Sequence, residues 1–158
     1  MLQRIQTVFL AIVAIASVML FFFPLANYYN DLHGNYKFFI YGIKYMDPEP
    51  KVIFGSFFTI PLIFLTSVSF IFSVAAIFLF KNRFLQLRIC SFNMITNIVL
   101  IMLIFFFYGT RIQSMTQIEP VYNYIGMAMP LVSIVFLILS NRAIKRDEAL
   151  VKSADRLR

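Results

Sequence analysis

The sequence predicts an all-α membrane protein, a bundle of four transmembrane helices with both termini in the cytoplasm. The 158 residues are 61% hydrophobic and only 13% charged, whereas a soluble domain is about 45–50% apolar and about 25% charged. Most of the hydrophobic residues fall into four long apolar stretches. These stretches predict helices at about residues 2–26, 54–80, 85–110 and 121–141, with an outer loop at 27–53 and a basic cytoplasmic tail at 142–158.

The distribution of Lys and Arg predicts the orientation of these helices. The gap after the second stretch holds Lys81, Arg83 and Arg88 and no acid, and the segment after the fourth is rich in bases, whereas the other two gaps are balanced in charge. Cytoplasmic loops carry such an excess of bases. The predicted cytoplasmic side has ten bases and three acids, which accounts for the whole formal net charge of +7. Attraction to anionic lipid headgroups explains this charge better than nucleic-acid binding does.

The first apolar stretch is expected to remain as a transmembrane helix. It follows Arg4 as the apolar core of a signal peptide would, but it is longer than such a core and no Ala-x-Ala motif follows it. Cleavage there would instead leave three spans and an outer N-terminus. The small residues Ala11, Ala14 and Ser17 recur at a spacing of three, which predicts a contact face for a neighbouring helix.

The outer loop contains a run rich in aromatic residues, Tyr36–Tyr45, after the turn sequence His33-Gly34-Asn35. This composition predicts a strand or a short hairpin. Alternation along a strand would place one set of side chains on a common face: Lys37, Phe39, Tyr41, Ile43 and Tyr45. An isolated hairpin is marginal in water, so the loop is expected to pack on the outer helix ends, to lie in the headgroup layer or to contact a partner.

Polar residues inside the predicted spans are the leading intramembrane candidates. Pro61 predicts a late start or a kink in the second helix. Ser69 and Ser73 of that helix are four residues apart, as are Asn93 and Asn97 of the third, so each pair shares one helix face. They could hold a substrate or a partner helix. Alternatively they bond the helices to one another, a contribution of about 0.6 kcal/mol on average, and we favour this interpretation.

The sequence offers no motif that predicts an enzyme. The predicted spans hold no Asp, Glu, Lys or Arg near their middle, which argues against an ion-coupled pump. There is no Gly-x-Ser-x-Gly elbow, no Gly-rich phosphate loop and no His-Glu-x-x-His. A single His33 and a single Cys90 are too few ligands for a zinc site. We therefore predict no catalytic residue, no metal site and no cofactor.

The tail is the leading candidate for binding. It predicts a helix with six bases that could contact lipid headgroups or a partner protein: Arg142, Lys145, Arg146, Lys152, Arg156 and Arg158. The acids Asp147, Glu148 and Asp155 are interleaved with these bases, and attraction to lipid alone would not need them. Lipid contact and protein docking both remain open at this point.

The two ends of the chain carry a resemblance to a known family. They are the opening Gln3-Arg4-Ile5-Gln6-Thr7, the sequence Phe-Phe-Phe-Pro at 21–24 and the closing residues 146–158. Together they resemble an uncharacterised family of small four-span inner-membrane proteins from Bacteroidota. The resemblance implies the bacterial inner membrane as the location and supplies no catalytic residue.

These observations lead to a functional hypothesis and an alternative. The first is a non-enzymatic accessory subunit that binds a larger inner-membrane protein complex through its tail and helix faces, for example in envelope biogenesis or protein export. The alternative is a small-molecule or lipid carrier or pore, as an oligomer, with a polar cavity near Asn93 and Asn97. A membrane enzyme acting on lipid ranks last, because the sequence offers no nucleophile and base pair.

Overall fold

The computed structural model describes residues 2–29, 35–46, 54–55 and 57–156 of the chain. It is mostly helical, at 73%, with one small antiparallel sheet. The helices are α1 (Leu2–Met19), α2 (Ile60–Phe78), α3 (Arg83–Met102), α4 (Thr110–Thr116) and α5 (Tyr124–Arg156). The strands are β1 (Ala26–Tyr28), β2 (Tyr36–Phe39), β3 (Gly42–Tyr45) and β4 (Val121–Tyr122).

Three helical segments in the described part of the chain are long and apolar enough to cross a membrane: Ile60–Phe78, Arg83–Thr116 and Tyr124–Ala149. The apolar part of α1, Ile5–Met19, is shorter. Their length and composition are compatible with a multi-pass membrane protein. The middle segment is one continuous rod, because a π-helical stretch (Leu103–Gly109) joins α3 to α4.

The helix ends differ from the prediction for reasons that the chain makes clear. α1 ends at Met19 rather than near residue 26. Pro24 disfavours a helical conformation at the residue before it, and Leu25, just before β1, donates its backbone N–H to Phe38 O at 2.7 Å. α2 begins at Ile60, which places Pro61 in the first turn, where its missing N–H has no helical partner to lose. The continuous helical segment that begins with α3 runs past residue 110 to Thr116. It ends there because Gln117 adopts a left-handed conformation (φ 57°).

The four long helices form an antiparallel bundle with neighbours in a ring. α1 packs on α2 and α5, and α3 packs on the same two helices. A 3₁₀ turn, Leu79–Lys81, connects α2 to α3. We call the two ends of the bundle the sheet end, where the strands lie, and the tail end, where α1 begins and α5 finishes.

Two clusters of buried side chains fill the bundle. At the tail end the cluster draws residues from all four long helices: Leu10, Val13, Ala76, Cys90, Leu137 and Ile144. At the sheet end the cluster mixes helix and strand residues, among them Leu20, Tyr28, Phe38, Leu100, Ile104 and Tyr108. The sheet is therefore part of the hydrophobic core of the molecule.

The sheet has the strand order β3-β2-β1-β4 and is antiparallel throughout. The predicted hairpin is confirmed as β2 and β3, joined by Ile40 and Tyr41. β1 and β4 were not predicted. β1 lies early in the connection between α1 and α2, and β4 lies in the connection between α4 and α5, so their pairing joins the two connections at this end of the bundle.

The register of the hairpin corrects the predicted face. Tyr36 pairs with Tyr45 and Lys37 with Lys44. The two-residue turn therefore puts Tyr45 on the face of Tyr36, away from Lys37, so the single-strand alternation was wrong beyond residue 39. Tyr36 is buried, whereas Lys44 is exposed.

Close contacts hold the sheet on the helix ends. The Phe38 ring stacks on the Tyr108 ring at 5.7 Å between centroids, and the Tyr108 hydroxyl donates to Phe58 O at 2.8 Å. Gly126, at the start of α5, lies against the backbone of Pro24, and a Cβ added there would be 3.0 Å from the Pro24 carbonyl carbon. The expectation that the outer loop packs on the helix ends agrees with these contacts for the residues that the structure describes.

Candidate functional site

The four predicted intramembrane polar residues meet in one buried network between α2 and α3. Asn93 Nδ2 donates to Ser73 Oγ at 2.8 Å and lies 3.2 Å from Ser69 O. Asn97 Nδ2 donates to Ser69 Oγ at 2.9 Å and also approaches Asn93 Oδ1 at 3.1 Å. All four side chains are almost completely buried. The sequence placed each pair on one helix face, and the packing turns those two faces toward each other.

A fifth residue extends the network to α1. Ser17 Oγ lies 3.3 Å from Ser69 Oγ, and it also donates to Val13 O at 3.0 Å. The sequence had marked Ser17 only as a small contact position. Three of the four long helices are therefore linked by one set of hydrogen bonds.

The network satisfies its own polar groups. The amides donate to serine hydroxyls and to backbone oxygens, and Ser73 Oγ donates to Ser69 O at 2.8 Å. Among the described residues, the buried side-chain atoms that lack a hydrogen-bond partner lie elsewhere: Asn27 Oδ1, Tyr28 OH, Ser140 Oγ and Asn141 Oδ1. Buried polar groups that bond one another in this way hold helices together and leave few groups to bind a substrate.

A second polar contact closes the tail end of the bundle. Gln6 Nε2 of α1 donates to the Asp147 carboxylate of α5 at 2.9 Å, and Arg83 Nη1 donates to the Asp147 backbone oxygen at 2.9 Å. Asp147 is only 8% exposed and Ile144 is fully buried. The first two turns of the predicted tail thus pack as part of the bundle, and the helix runs through residue 141 without a break.

The bases that the sequence predicted as binding residues lie on α5, the helix that this contact holds in place. Arg142, Lys145 and Arg146 are exposed on α5. Lys152 and Arg156 belong to the same helix, and Arg158 lies outside the described residues. The tail end therefore presents a positively charged, solvent-accessible helix surface.

The sheet end has a small polar cavity of about 290 Å³ between β3 and the start of α2, lined in part by Tyr45, Phe54 and Thr59. Phe54 donates its backbone N–H to the Tyr45 hydroxyl at 2.7 Å. Burial raises the pKa of Tyr28 far above its usual value near 10, helped by the neighbouring Tyr122, whose own pKa burial also raises. Both phenols are therefore neutral at physiological pH.

No metal site is formed by the described part of the chain, which contains no group of three or more His, Cys, Asp and Glu side chains that could hold an ion. His33, the only histidine, lies outside the described residues. Cys90 is buried in the tail-end cluster.

Fold and contacts together define a class: a helical bundle with helices of membrane-spanning length and apolarity, capped at one end by a four-stranded sheet. The chain belongs to the DUF4293 family, a domain of unknown function, whose sequence model matches residues 2–157. The predicted membership of an uncharacterised family is thereby confirmed. No curated protein and no solved structure matches the chain.

Proposed function

We propose that this protein is a non-enzymatic accessory subunit of a bacterial inner membrane, of Bacteroidota origin, that docks on a larger membrane protein complex through the tail end of α5. The observation that carries the proposal is the distribution of polar groups. Inside the bundle they bond one another, whereas the exposed charged groups of α5 stand at the tail end, on a helix longer than the membrane is thick.

The length of α5 supports a model in which the end of this helix projects beyond the lipid bilayer. Its 33 residues span about 50 Å at 1.5 Å per residue, whereas the hydrocarbon core of a bilayer is about 30 Å thick. Arg142, Lys145 and Arg146 follow the apolar part directly, at the depth expected for headgroups. The helix then continues beyond Asp147 to Arg156, and this is the segment that we propose contacts the partner protein.

The proposed topology has four spans, with both termini in the cytoplasm. α1 is 18 residues long, or about 27 Å, and it packs between two helices that are long enough to span. The contact of Gln6 with Asp147 sets the start of α1 beside the end of α5. The tail end is the basic end of the molecule, so the positive-inside rule assigns it to the cytoplasm.

Two observations guide the choice between docking and transport. A carrier would need a polar cavity beside Asn93 and Asn97, but their amides are occupied by Ser69 and Ser73. Asp147, one of the interleaved acids, is bound inside the bundle and therefore says nothing about a partner. The docking proposal rests on the exposed bases of α5, Arg142, Lys145 and Arg146, and on the length of the helix beyond Asp147.

Site-specific photo-cross-linking in the native membrane tests the proposal. A benzoylphenylalanine at Lys152 is expected to form one dominant cross-linked product with a membrane protein. The matched control carries the same group at Tyr124, which is 93% exposed at the opposite end of the same helix, and should not form that product.

A truncation supplies the complementary measurement. Removal of residues 150–158 keeps Ile144 and Asp147 in place, so the bundle should still fold and the cross-linked partner should no longer co-purify. Truncation at residue 142 would instead expose the core and is uninformative. Equal recovery of the partner with the shortened protein, or equal products from both cross-linker positions, would contradict docking through this segment.

A further inference from the structure

A groove runs along the outside of the bundle at the tail end, between α3 and α5. Its volume is about 470 Å³. One wall is formed by α3 residues, including Phe84, Arg88 and Phe92, and the other by Asn141 and Lys145 of α5. No part of the docking proposal uses this groove, so it poses a separate question.

The groove combines an apolar floor with a basic entrance. Phe92 and Ile95 are 60% and 54% exposed, and they lie deeper along α3 than the charged residues. Arg88 and Lys145 are both exposed, and each stands on a different helix at the same opening. An occupant that matches this surface has apolar chains at one end and negative charge at the other.

The basic entrance is partly preorganised. The Arg88 guanidinium lies over the Phe84 ring, 4.2 Å from its centroid. A stacked guanidinium loses less side-chain freedom when it binds an anion, and its fork of N–H donors matches a phosphate. Lys145 adds a second positive charge from α5.

Asn141 offers one more polar group at the groove wall. Its Oδ1 is buried and has no hydrogen-bond donor among the described residues, a state that costs free energy in a folded protein. A hydroxyl of a bound headgroup would supply that donor once the amide turned toward the groove. This favours a headgroup that carries hydroxyls as well as a phosphate.

We propose that the groove between α3 and α5 is a binding site for an anionic phospholipid, whose phosphate is held by Arg88 and Lys145 and whose acyl chain lies along Phe92 and Ile95. Basic pockets between transmembrane helices on the cytoplasmic side bind anionic headgroups in this manner. Phosphatidylglycerol combines the required charge with hydroxyl groups and is the probe for the site.

The absence of tryptophan from the chain allows a direct measurement. Phe92→Trp places a single fluorescent reporter in the groove. Phe70→Trp is the matched reporter outside the groove, because Phe70 is exposed on α2 at a similar distance from the 3₁₀ turn. Each variant is reconstituted into vesicles of phosphatidylcholine with brominated phosphatidylglycerol or brominated phosphatidylcholine, and quenching gives the relative affinity of the two lipids at each reporter.

The groove reporter should prefer phosphatidylglycerol by on the order of fivefold or more, since each nearby base favours an anionic lipid to about that extent. The Phe70→Trp reporter should show little preference. Arg88→Gln with Lys145→Gln should lower the groove preference to the level of the outside reporter. Arg142→Gln with Arg146→Gln removes two exposed bases of α5 that do not line the groove, and should preserve it.

Three results would overturn the site: equal preference at both reporters, no effect of the Arg88 and Lys145 substitutions, or equal loss with both pairs of substitutions. The last would mean that general surface charge attracts the lipid. Ile95→Trp, a second groove reporter, replaces Phe92→Trp if that variant does not fold, as judged by gel filtration and circular dichroism.

Discussion

The amide of Gln6 and the carboxylate of Asp147 form a buried hydrogen bond of 2.9 Å that joins the first and last helices of the bundle, although 141 positions separate them in the chain. Neither residue stood out in the sequence as a packing residue. Asp147 belonged to the predicted charged tail, and Gln6 lay near the start of the first predicted helix. Their contact makes the beginning of the tail part of the folded core.

Loss of this contact should destabilise the bundle. Asp147→Ala leaves the Gln6 amide buried without its acceptor, and we expect a loss of about 1–3 kcal/mol in the free energy of unfolding. Asp147→Asn keeps an acceptor oxygen and should cost less. The measurement is unfolding in mixed micelles with increasing denaturing detergent.

Arg146→Ala is the matched control for Asp147→Ala, because it changes an exposed neighbour on the same helix and should alter stability by no more than about 0.5 kcal/mol. A double-mutant cycle with Gln6→Ala isolates the pair. Independent, additive effects of the two alanine substitutions would show that the bond contributes nothing.

The Asn and Ser network should contribute to stability rather than to ligand binding. Asn93→Leu with Asn97→Leu removes the bonds to Ser73 and Ser69, and interhelical bonds of this kind contribute about 0.6 kcal/mol on average and up to about 1.7 kcal/mol each. We expect a protein that folds with reduced stability in the same micelle assay. Ser91→Ala, which removes an exposed hydroxyl on α3, is the control.

Transport measurements decide whether that interpretation of the network holds. If a small molecule or lipid is found to move through the reconstituted protein, a purely structural role of the network predicts that the double leucine variant moves it at the wild-type rate. Loss of transport by a folded double variant would restore the carrier hypothesis.

Gly126 should tolerate no side chain. Its backbone lies against Pro24 and Leu25, and a Cβ there would overlap the Pro24 backbone, so Gly126→Ala should cost about 1–3 kcal/mol through forced movement of α5. Gly42→Ala is the control, since no atom lies within 4 Å of a Cβ added at that position. Similar thermal stability of the two variants in detergent would show that α5 does not approach the backbone of Pro24 and Leu25 this closely.

Stability should fall at alkaline pH because of Tyr28. Burial raises the pKa of this phenol in the folded state above the value near 10 of an unfolded chain, so the fold favours the protonated form. That contribution is complete below about pH 10 and is lost as the pH rises beyond it, by at most about 1.4 kcal/mol per pH unit. The free energy of unfolding should therefore decrease between about pH 10 and pH 12.

Tyr28→Phe should flatten this alkaline slope. The Tyr28 hydroxyl has no hydrogen-bond partner among the described residues, so the substitution should cost little stability at neutral pH. Tyr29→Phe changes the exposed neighbouring ring and should leave the slope in place. An unchanged slope in Tyr28→Phe would assign the alkaline effect to other groups.

Several elements of the fold could be predicted because their signals are local. The hairpin of β2 and β3 follows from its aromatic run, and the helices follow from long apolar stretches. β1 and β4 have three and two residues, too few to establish a period of two, and they form only where the fold brings partner strands beside them. β1 pairs with β2 and with β4. The bond from Leu25 to Phe38 of β2 is a further contact of this kind, between segments that are not neighbours in the chain.

The residues of the candidate site could be predicted from the sequence, but the contacts between them could not. Helical spacing placed Asn93 with Asn97 and Ser69 with Ser73, yet whether those faces meet depends on the rotation of α2 against α3, which the combined packing of the bundle determines. The groove of Arg88 and Lys145 likewise needs two helices that lie far apart in sequence.

By itself the sequence determined the helical class, the positions of the apolar segments, the asymmetry of charge and the hairpin of β2 and β3, because composition and periodicity act over a few neighbouring residues. Only the tertiary structure decided that the serines and asparagines satisfy one another, that Asp147 is buried against Gln6, and that a basic groove lies between α3 and α5. Those features arise from contacts between distant segments, and the free energy of such contacts is set by the packing of the whole bundle rather than by any one stretch of chain.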